Sequence, residues 1–250
     1  MKIYLFGLIP SDEADSWDYE LEAEIGGEIS RIDLLEHQDL GFLYSRVDLE
    51  DKLRATRKNV QAHSETLGEV LKLTNTLIPV SFGAIVDDLD AARKIISENR
   101  EQLIETLNKI ENKVEYGVKA YWNPDEVAQE IGETDKEVQR LKKKVKKGEV
   151  NDQYQATVEV GELIDDRIAA RKEELKDSIL KHLTPVSEEW TENDLFDERM
   201  SANMAFLLDR SNQDDFDRAM EDLGKTQPGY LTFKYNGPWP PFNFVDLELG

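Results

Sequence analysis

Residues 114–124, VEYGVKAYWNP, decide how the chain must be read. Val114, Tyr116, Val118, Ala120 and Trp122 alternate with polar residues, the period-2 pattern of a half-buried strand. Asn123 then supplies a capping side chain, and Pro124 takes the first helical position, where its missing N–H is no loss. Strand therefore passes directly into helix. Val127, Ile131, Val138, Leu141 and Val145 carry the helical period to a stop at Gly148. A longer helix follows, with Val160, Ile164, Ile168, Leu175, Ile179 and Leu183 on one face and Pro185 at its end. Next come an extended piece over 186–191 and an alternating strand over 200–208. A short helix carries Phe216, Met220 and Leu223, with Ser211 and Asp214 as a capping-box variant, and a strand over 230–235 closes the run. With the helix over 123–147 set aside as an insertion, the order is β-α-β-β-α-β, the split arrangement of a ferredoxin-like fold. That name describes topology only. The chain has no cysteine, which excludes an iron–sulfur cluster in its usual form.

Upstream, residues 2–9 form an apolar strand. Strands over 28–36 and 42–48 follow, bounded by Gly26, Gly27 and Gly41. The period then changes: Leu49, Leu53, Thr56, Val60, His63, Leu67, Val70, Leu71 and Thr74 fall three or four apart, predicting a long helix capped by Asp48. Residues 79–86 read as a strand interrupted at Gly83. Asp87 or Asp88 opens a second helix striped by Leu89, Ala92, Ile96, Leu103, Leu107 and Ile110. The expectation is an α+β protein of two domains, 1–112 and 113–250, the second a modified ferredoxin-like domain with a Pro- and Trp-rich tail.

Charge narrows the function. Acids outnumber bases 53 to 31, a net charge of -22. Neutralising phosphates needs clustered Lys and Arg, so nucleic acid is a poor partner, and anionic lipid membranes are repelled. The run Lys142, Lys143, Lys144, Val145, Lys146, Lys147 is the one strong basic patch; it ends a helix, where cations complement the dipole. The amino-terminal apolar run is too short for a signal peptide, and no segment approaches the length of a spanning helix, so a cytoplasmic protein is expected.

No motif demands catalysis. His37, His63 and His182 sit in no metal-ligand spacing, and His63 lies on the apolar stripe of its helix, where a buried, hydrogen-bonded histidine is the expected reading. An enzymatic reading would pair His63 with neighbouring acids. The clusters Asp87-Asp88, Asp165-Asp166, Glu188-Glu189 and Asp214-Asp215 suit helix caps and solvated ends rather than metal sites. Neither a cofactor nor a metal is expected, and phosphate-cradling and nucleophile-elbow motifs are absent from the sequence.

The most distinctive stretch is YNGPWPPFNFV, residues 235–245. Its three closely spaced prolines forbid helix and regular ladder pairing, so an extended or polyproline II stretch is expected. Trp239, Phe242 and Phe244 could pack back on the chain's own sheet or offer a rigid aromatic ledge to a hydrophobic partner; self-packing is favoured, because exposed aromatics invite aggregation.

This tail resembles the carboxyl-terminal signature of the gas vesicle protein F and L family. Residues 77–83, LIPVSFG, resemble its internal motif, in which an arginine often stands where this chain has Ser81. The opening strand through Phe6 and Gly7, the glycine-bearing strand at Gly117 and the strand over 230–235 fit in the same order. The F type fits better than the L type in length. The resemblance implies a non-enzymatic accessory or minor structural protein of gas vesicles, the buoyancy organelles of aquatic microbes. Its implied partners are the hydrophobic main shell protein, protein A, and other accessory gas vesicle proteins. Preventing aggregation of the shell protein during vesicle assembly is the implied activity; a stable wall component or a scaffold between accessory proteins is the alternative. Candidate partner-binding residues are Pro79, Phe82, Trp239, Phe242 and Phe244. The departure at Ser81 removes a charge-dependent role from that position.

Overall fold

The computed structural model describes residues 1–14, 20–48, 53–147 and 153–245. It begins with β1 (Lys2–Pro10), followed by the one-turn α1 (Ser11–Ala14), β2 (Glu22–Ile25), β3 (Glu28–Arg31), β4 (Asp33–His37) and β5 (Leu40–Val47). Then come α2 (Arg57–Leu73), β6 (Ile78–Pro79), β7 (Ile85–Val86) and α3 (Leu89–Ile110). The main sheet runs β4-β5-β1-β6, with β7 also pairing β1. β1 is buried from Ile3 to Ile9, because helices cover both faces of its sheet. On one side Ile3, Leu5, Leu8, Phe42 and Ile78 pack with Ala92, Ile96, Leu103 and Leu107 of α3. On the other, Tyr4 and Phe6 meet His63 of α2. Gly7 is where the short β6 crosses β1: a Cβ there would stand 2.9 Å from the Ile78 carbonyl oxygen and 2.7 Å from Leu77 Cδ1. Only hydrogen fits that approach.

Next are β8 (Lys113–Tyr121), α4 (Pro124–Thr134), α5 (Lys136–Lys147), α6 (Gln153–Leu183), β9 (Glu189–Glu192), β10 (Met200–Asp209), α7 (Gln213–Thr226) and β11 (Thr232–Trp239). The last four strands in the chain's pairing make one sheet in the order β11-β8-β10-β9. The chain divides into two compact units. The first comprises Met1–Tyr116, Leu207–Arg210 and Gly237–Gly250; the second comprises Gly117–Phe206 and Ser211–Asn236. A division at residue 112/113 would put the tail with the second domain, whereas these units group it with the first. In the second unit Phe206 and Phe216 rings meet at 5.8 Å, and Trp122, Val127, Ile131 and Val138 form a helical core with Ile164 and Ile168.

Several boundaries differ from the sequence reading. α2 starts at Arg57, not after Asp48: Thr56 Oγ1 accepts from the Asn59 amide, and residues 53–56 are not helical although Leu53 keeps the helical spacing. Leu49 lies outside the described residues, as does Gly148. β2, which the sequence reading missed, pairs with β3 across Gly26 and Gly27. The helix expected over 123–147 breaks at Asp135, whose carboxylate accepts from the Glu137 and Val138 amides and so caps a second helix. α7 is preceded by Asn212, which makes no side-chain cap, whereas the sequence reading put the capping residue at Ser211. β10 is buried along almost its whole length instead of alternating: it is an inner strand of its sheet, and its Asn203 Nδ2 donates to the Asp194 carbonyl just after β9. Finally, β11 extends through Pro238 to Trp239, so the tail's first proline sits within a strand. It is tolerable there because β11 lies at the sheet edge.

Candidate functional site

The site begins with the segment 79–83. Pro79 pairs with Gly7 at the end of β6, and the chain then turns at Gly83, whose φ of 88° suits glycine. Below this turn the Tyr4 hydroxyl donates to His63 Nδ1 at 2.8 Å, and His63 Nε2–H donates to the Val80 carbonyl at 2.9 Å. The Gly83 amide donates to the Tyr4 oxygen at 3.3 Å. A relay of three hydrogen bonds therefore pins both sides of the turn to β1 and α2. His63 is 2% exposed, and burial lowers its pKa to about 4, so it is the neutral ring that both bonds require. Burial likewise pushes Tyr4 up to about 12. Both ring nitrogens of His63 are engaged and solvent is excluded, which is the structural role expected and leaves no face open to a substrate.

The tail arrives at the same place by a second buried polar tie. Asn243 donates its backbone N–H to Glu115 Oε2 at 2.8 Å and its side-chain amide to Oε1 at 2.5 Å. Glu115 is buried, and desolvation raises its pKa against the lowering effect of those two bonds. Gly237 passes so close to Tyr116 that a Cβ would lie 2.7 Å from the ring. Lys109 Nζ reaches the Phe244 carbonyl at 3.3 Å, and the Phe244 side chain is 6% exposed. Self-packing therefore holds for Phe244, while its neighbour Phe242 stays 38% exposed.

Between these two anchored segments lies a cleft of about 200 Å³, lined by Leu8, Phe42, Ile78, Pro79, Val80, Ser81, Ala84, Leu103, Phe242 and Val245. Nine of these ten residues are apolar, so the cleft can accept an apolar side chain or segment. Of the residues singled out from the sequence, Pro79 and Phe242 meet here. Phe82 faces the other way, with its ring 5.9 Å from His63 and 6.3 Å from Tyr4. Trp239 ends β11 outside the cleft lining, and Phe244 is core. Glu115 and Tyr4 were missed. Glu115 carried no signal of its own, because it falls at a polar position of the alternating strand, in step with Lys113 and Lys119.

The other polar groups are local. His37 Nε2 lies 2.8 Å from Ser97 Oγ, and His182 Nδ1 donates to the Ser178 carbonyl. Asp88 caps α3, and Asp90 pairs with Arg93. Among the described residues, no group of three or more His, Cys, Asp or Glu is placed to hold a metal, and no helix is long and apolar enough to cross a membrane.

The architecture is a known one. Over 99% of both chains it matches the crystal structure of the gas vesicle protein GvpF from Anabaena sp. PCC7120, with a TM-score of 0.85 at 23% identity. GvpF from Microcystis aeruginosa matches over 98% of this chain and 99% of its own, with a TM-score of 0.80 at 22% identity. These likenesses define a mixed helix-and-sheet fold class. The family model described as gas vesicle synthesis protein GvpL/GvpF matches residues 2–246, and the chain belongs to that family. Gas vesicle protein F1 of Halobacterium salinarum is 30% identical over 99% of this chain and 94% of its own length. Gas vesicle protein F of Haloferax mediterranei is 28% identical over 99% and 95%. Gas vesicle protein L1 of Halobacterium salinarum is more distant, 21% identical over 83% and 75%. The protein is accordingly a gas vesicle accessory protein.

Proposed function

We propose that this protein binds the hydrophobic main shell protein of gas vesicles through the cleft between the 79–83 turn and the tail. By covering apolar surface it keeps that subunit from aggregating while the wall grows, without catalysis, in the cytoplasm and at the vesicle. The observation that carries the reading is the cleft itself. Two segments far apart in sequence are each tied down by buried polar bonds, yet Pro79 and Phe242 are left lining an apolar opening. Preorganised apolar surface binds with little ordering entropy lost. Pro79 and Phe242 make the contact; Phe82 and Phe244 support it from behind, and Trp239 flanks it. Other accessory gas vesicle proteins are further partners. The two units serve as the domains, and the order β11-β8-β10-β9 supports reading the second sheet as ferredoxin-like, with α4 and α5 inserted.

The test is binding of purified protein to the main shell protein, read by how much shell protein stays in solution. Phe242→Asp should raise the dissociation constant about tenfold or more, the scale of losing an interfacial aromatic anchor, with an unchanged melting temperature. A Phe196→Ser control, away from the cleft, should bind normally. Unaltered binding by Phe242→Asp would move the site elsewhere; no binding by the unaltered protein would sink the reading in favour of a scaffold.

A further inference from the structure

The first unit carries another cavity, a groove of about 360 Å³ that shares no residue with the apolar cleft. β2 forms one wall and α2 the other, and the whole lining falls within Met1–Tyr116. Leu21, Ala23, Ile32 and Ala62 supply apolar surface, while Glu22 and Glu24 on β2 and Glu65 and Glu69 on α2 supply acid. Two of these acids already have a lysine: Glu24 pairs with Lys58 at 2.5 Å and Glu69 with Lys72 at 2.7 Å. Glu65 accepts from the neutral Gln61 amide, and Arg31, which stands opposite Glu22 across the hairpin, pairs with Asp33 instead. The lining also holds a buried hydroxyl. Thr66 is 7% exposed, and its side chain makes no hydrogen bond to the described residues. Thr106, Thr134 and Thr157, in other helices, each donate to the carbonyl four residues back. A buried hydroxyl left open beside two carboxylates without a cation calls for a ligand that brings both donors and positive charge.

We infer that this groove takes a lysine side chain from a basic, amphipathic segment of another protein. The alkyl stem of that lysine lies on the apolar lining, and its ammonium donates to the Thr66 hydroxyl and to the carboxylates of Glu22 and Glu65. A protein segment fits better than a free amine because Ile29, opposite Glu24 across the hairpin, is 69% exposed and is covered by an apolar neighbour of the lysine. The net charge of -22 draws a basic segment in from a distance and repels a polyanion.

Fluorescence anisotropy of a labelled peptide, with lysine on one helical face and leucine on the other, tests this on the full chain. Glu22→Gln with Glu65→Gln should raise the dissociation constant about tenfold or more. Glu101→Gln with Glu105→Gln removes the same charge from α3 and should change it less than about twofold, because screened charges act weakly at a distance. Trimethylating the peptide's lysines keeps their charge but removes the N–H donors, and should weaken binding severalfold. Thr66→Val should narrow that difference with an unchanged melting temperature, and Ile29→Ser should weaken binding of the peptide. Equal weakening by the two double variants leaves only long-range charge and overturns the inference, as does a peptide that fails to bind in the micromolar range. Displacement of the peptide by an equal concentration of spermidine overturns it in favour of a free amine. Self-association of the unaltered chain that Glu22→Gln with Glu65→Gln abolishes overturns it in favour of a second copy.

Discussion

His63 in the first unit and Arg171 in the second each join three segments through polar bonds, but they do so in different surroundings. His63 on α2 holds Tyr4 of β1 and the Val80 carbonyl, with the ring shut away from water. Arg171 on α6 holds both carboxylate oxygens of Glu130 on α4, at 3.1 and 3.2 Å, and the Tyr230 hydroxyl at 2.6 Å, with about a third of its side chain exposed. An unmet polar group costs most where water cannot substitute. The first unit should therefore be brittle to single changes and sensitive to pH, and the second tolerant and sensitive to salt.

The largest effect should come where backbones touch. Gly7→Val places carbon where β1 and β6 already leave no room, and should cost about 3 kcal/mol or more, measured by urea denaturation. Because β6 carries Pro79, shell-protein binding should fall with it. A loss under about 1 kcal/mol would mean that β6 is free to move. Next is pH. With a folded pKa of about 4 against an ordinary 6.5, His63 takes up a proton more readily when unfolded. Its contribution is complete above pH 6.5 and is lost as pH falls toward 4. It amounts to about 3 kcal/mol at 1.4 kcal/mol per pKa unit. His63→Gln, which can also donate to Val80 and accept from Tyr4, should lack this slope; parallel pH profiles for both chains would assign the loss to other groups.

These effects also mark where the sequence was and was not readable. The long stripes of α3 and α6 and the alternation of β8 were legible because burial on one face writes its period into the chain. α2 was over-extended because Leu53 keeps the spacing by chance while the Thr56 cap, a single side-chain bond, leaves a weaker trace. β2 was missed because Glu22, Ala23, Glu24 and Ile25 carry little β preference; its partner strand supplies the pairing. The motif 79–83 and the tail were each conspicuous. Their convergence on one cleft was not, since it depends on Tyr4, His63 and Glu115, and nothing local in sequence reports which residues 59 or 128 positions apart will meet.

A smaller effect tests the tail's anchor. Asn243→Ala removes one of two bonds to a buried carboxylate and should cost about 2 kcal/mol at neutral pH. The Glu115 pKa is already raised above 4.5, so folding favours the proton and the group's cost grows as pH rises through that raised value. Loss of the amide should raise the pKa further, making the variant's deficit shrink on acidification. A deficit independent of pH would mean that Asn243 acts through packing rather than through Glu115.

The smallest effect belongs to Arg171. The hydrogen bond to Glu130 raises the arginine's pKa, and the same bond lowers that of the carboxylate, so both partners favour their charged forms. Glu130 then adds stability that is present above pH 4.5 and is lost as pH falls below it. Side-chain exposures of 31% and 37% let water and salt screen the pair, which holds its value under about 1 kcal/mol despite good geometry. Arg171→Met keeps the aliphatic stem against the helical core and removes the charge. It should lower stability by less than about 1 kcal/mol in dilute buffer and by still less in molar salt. A loss as large as that from His63, unchanged by salt, would mean that the Arg171 cluster is effectively buried, and the contrast between the two units would collapse.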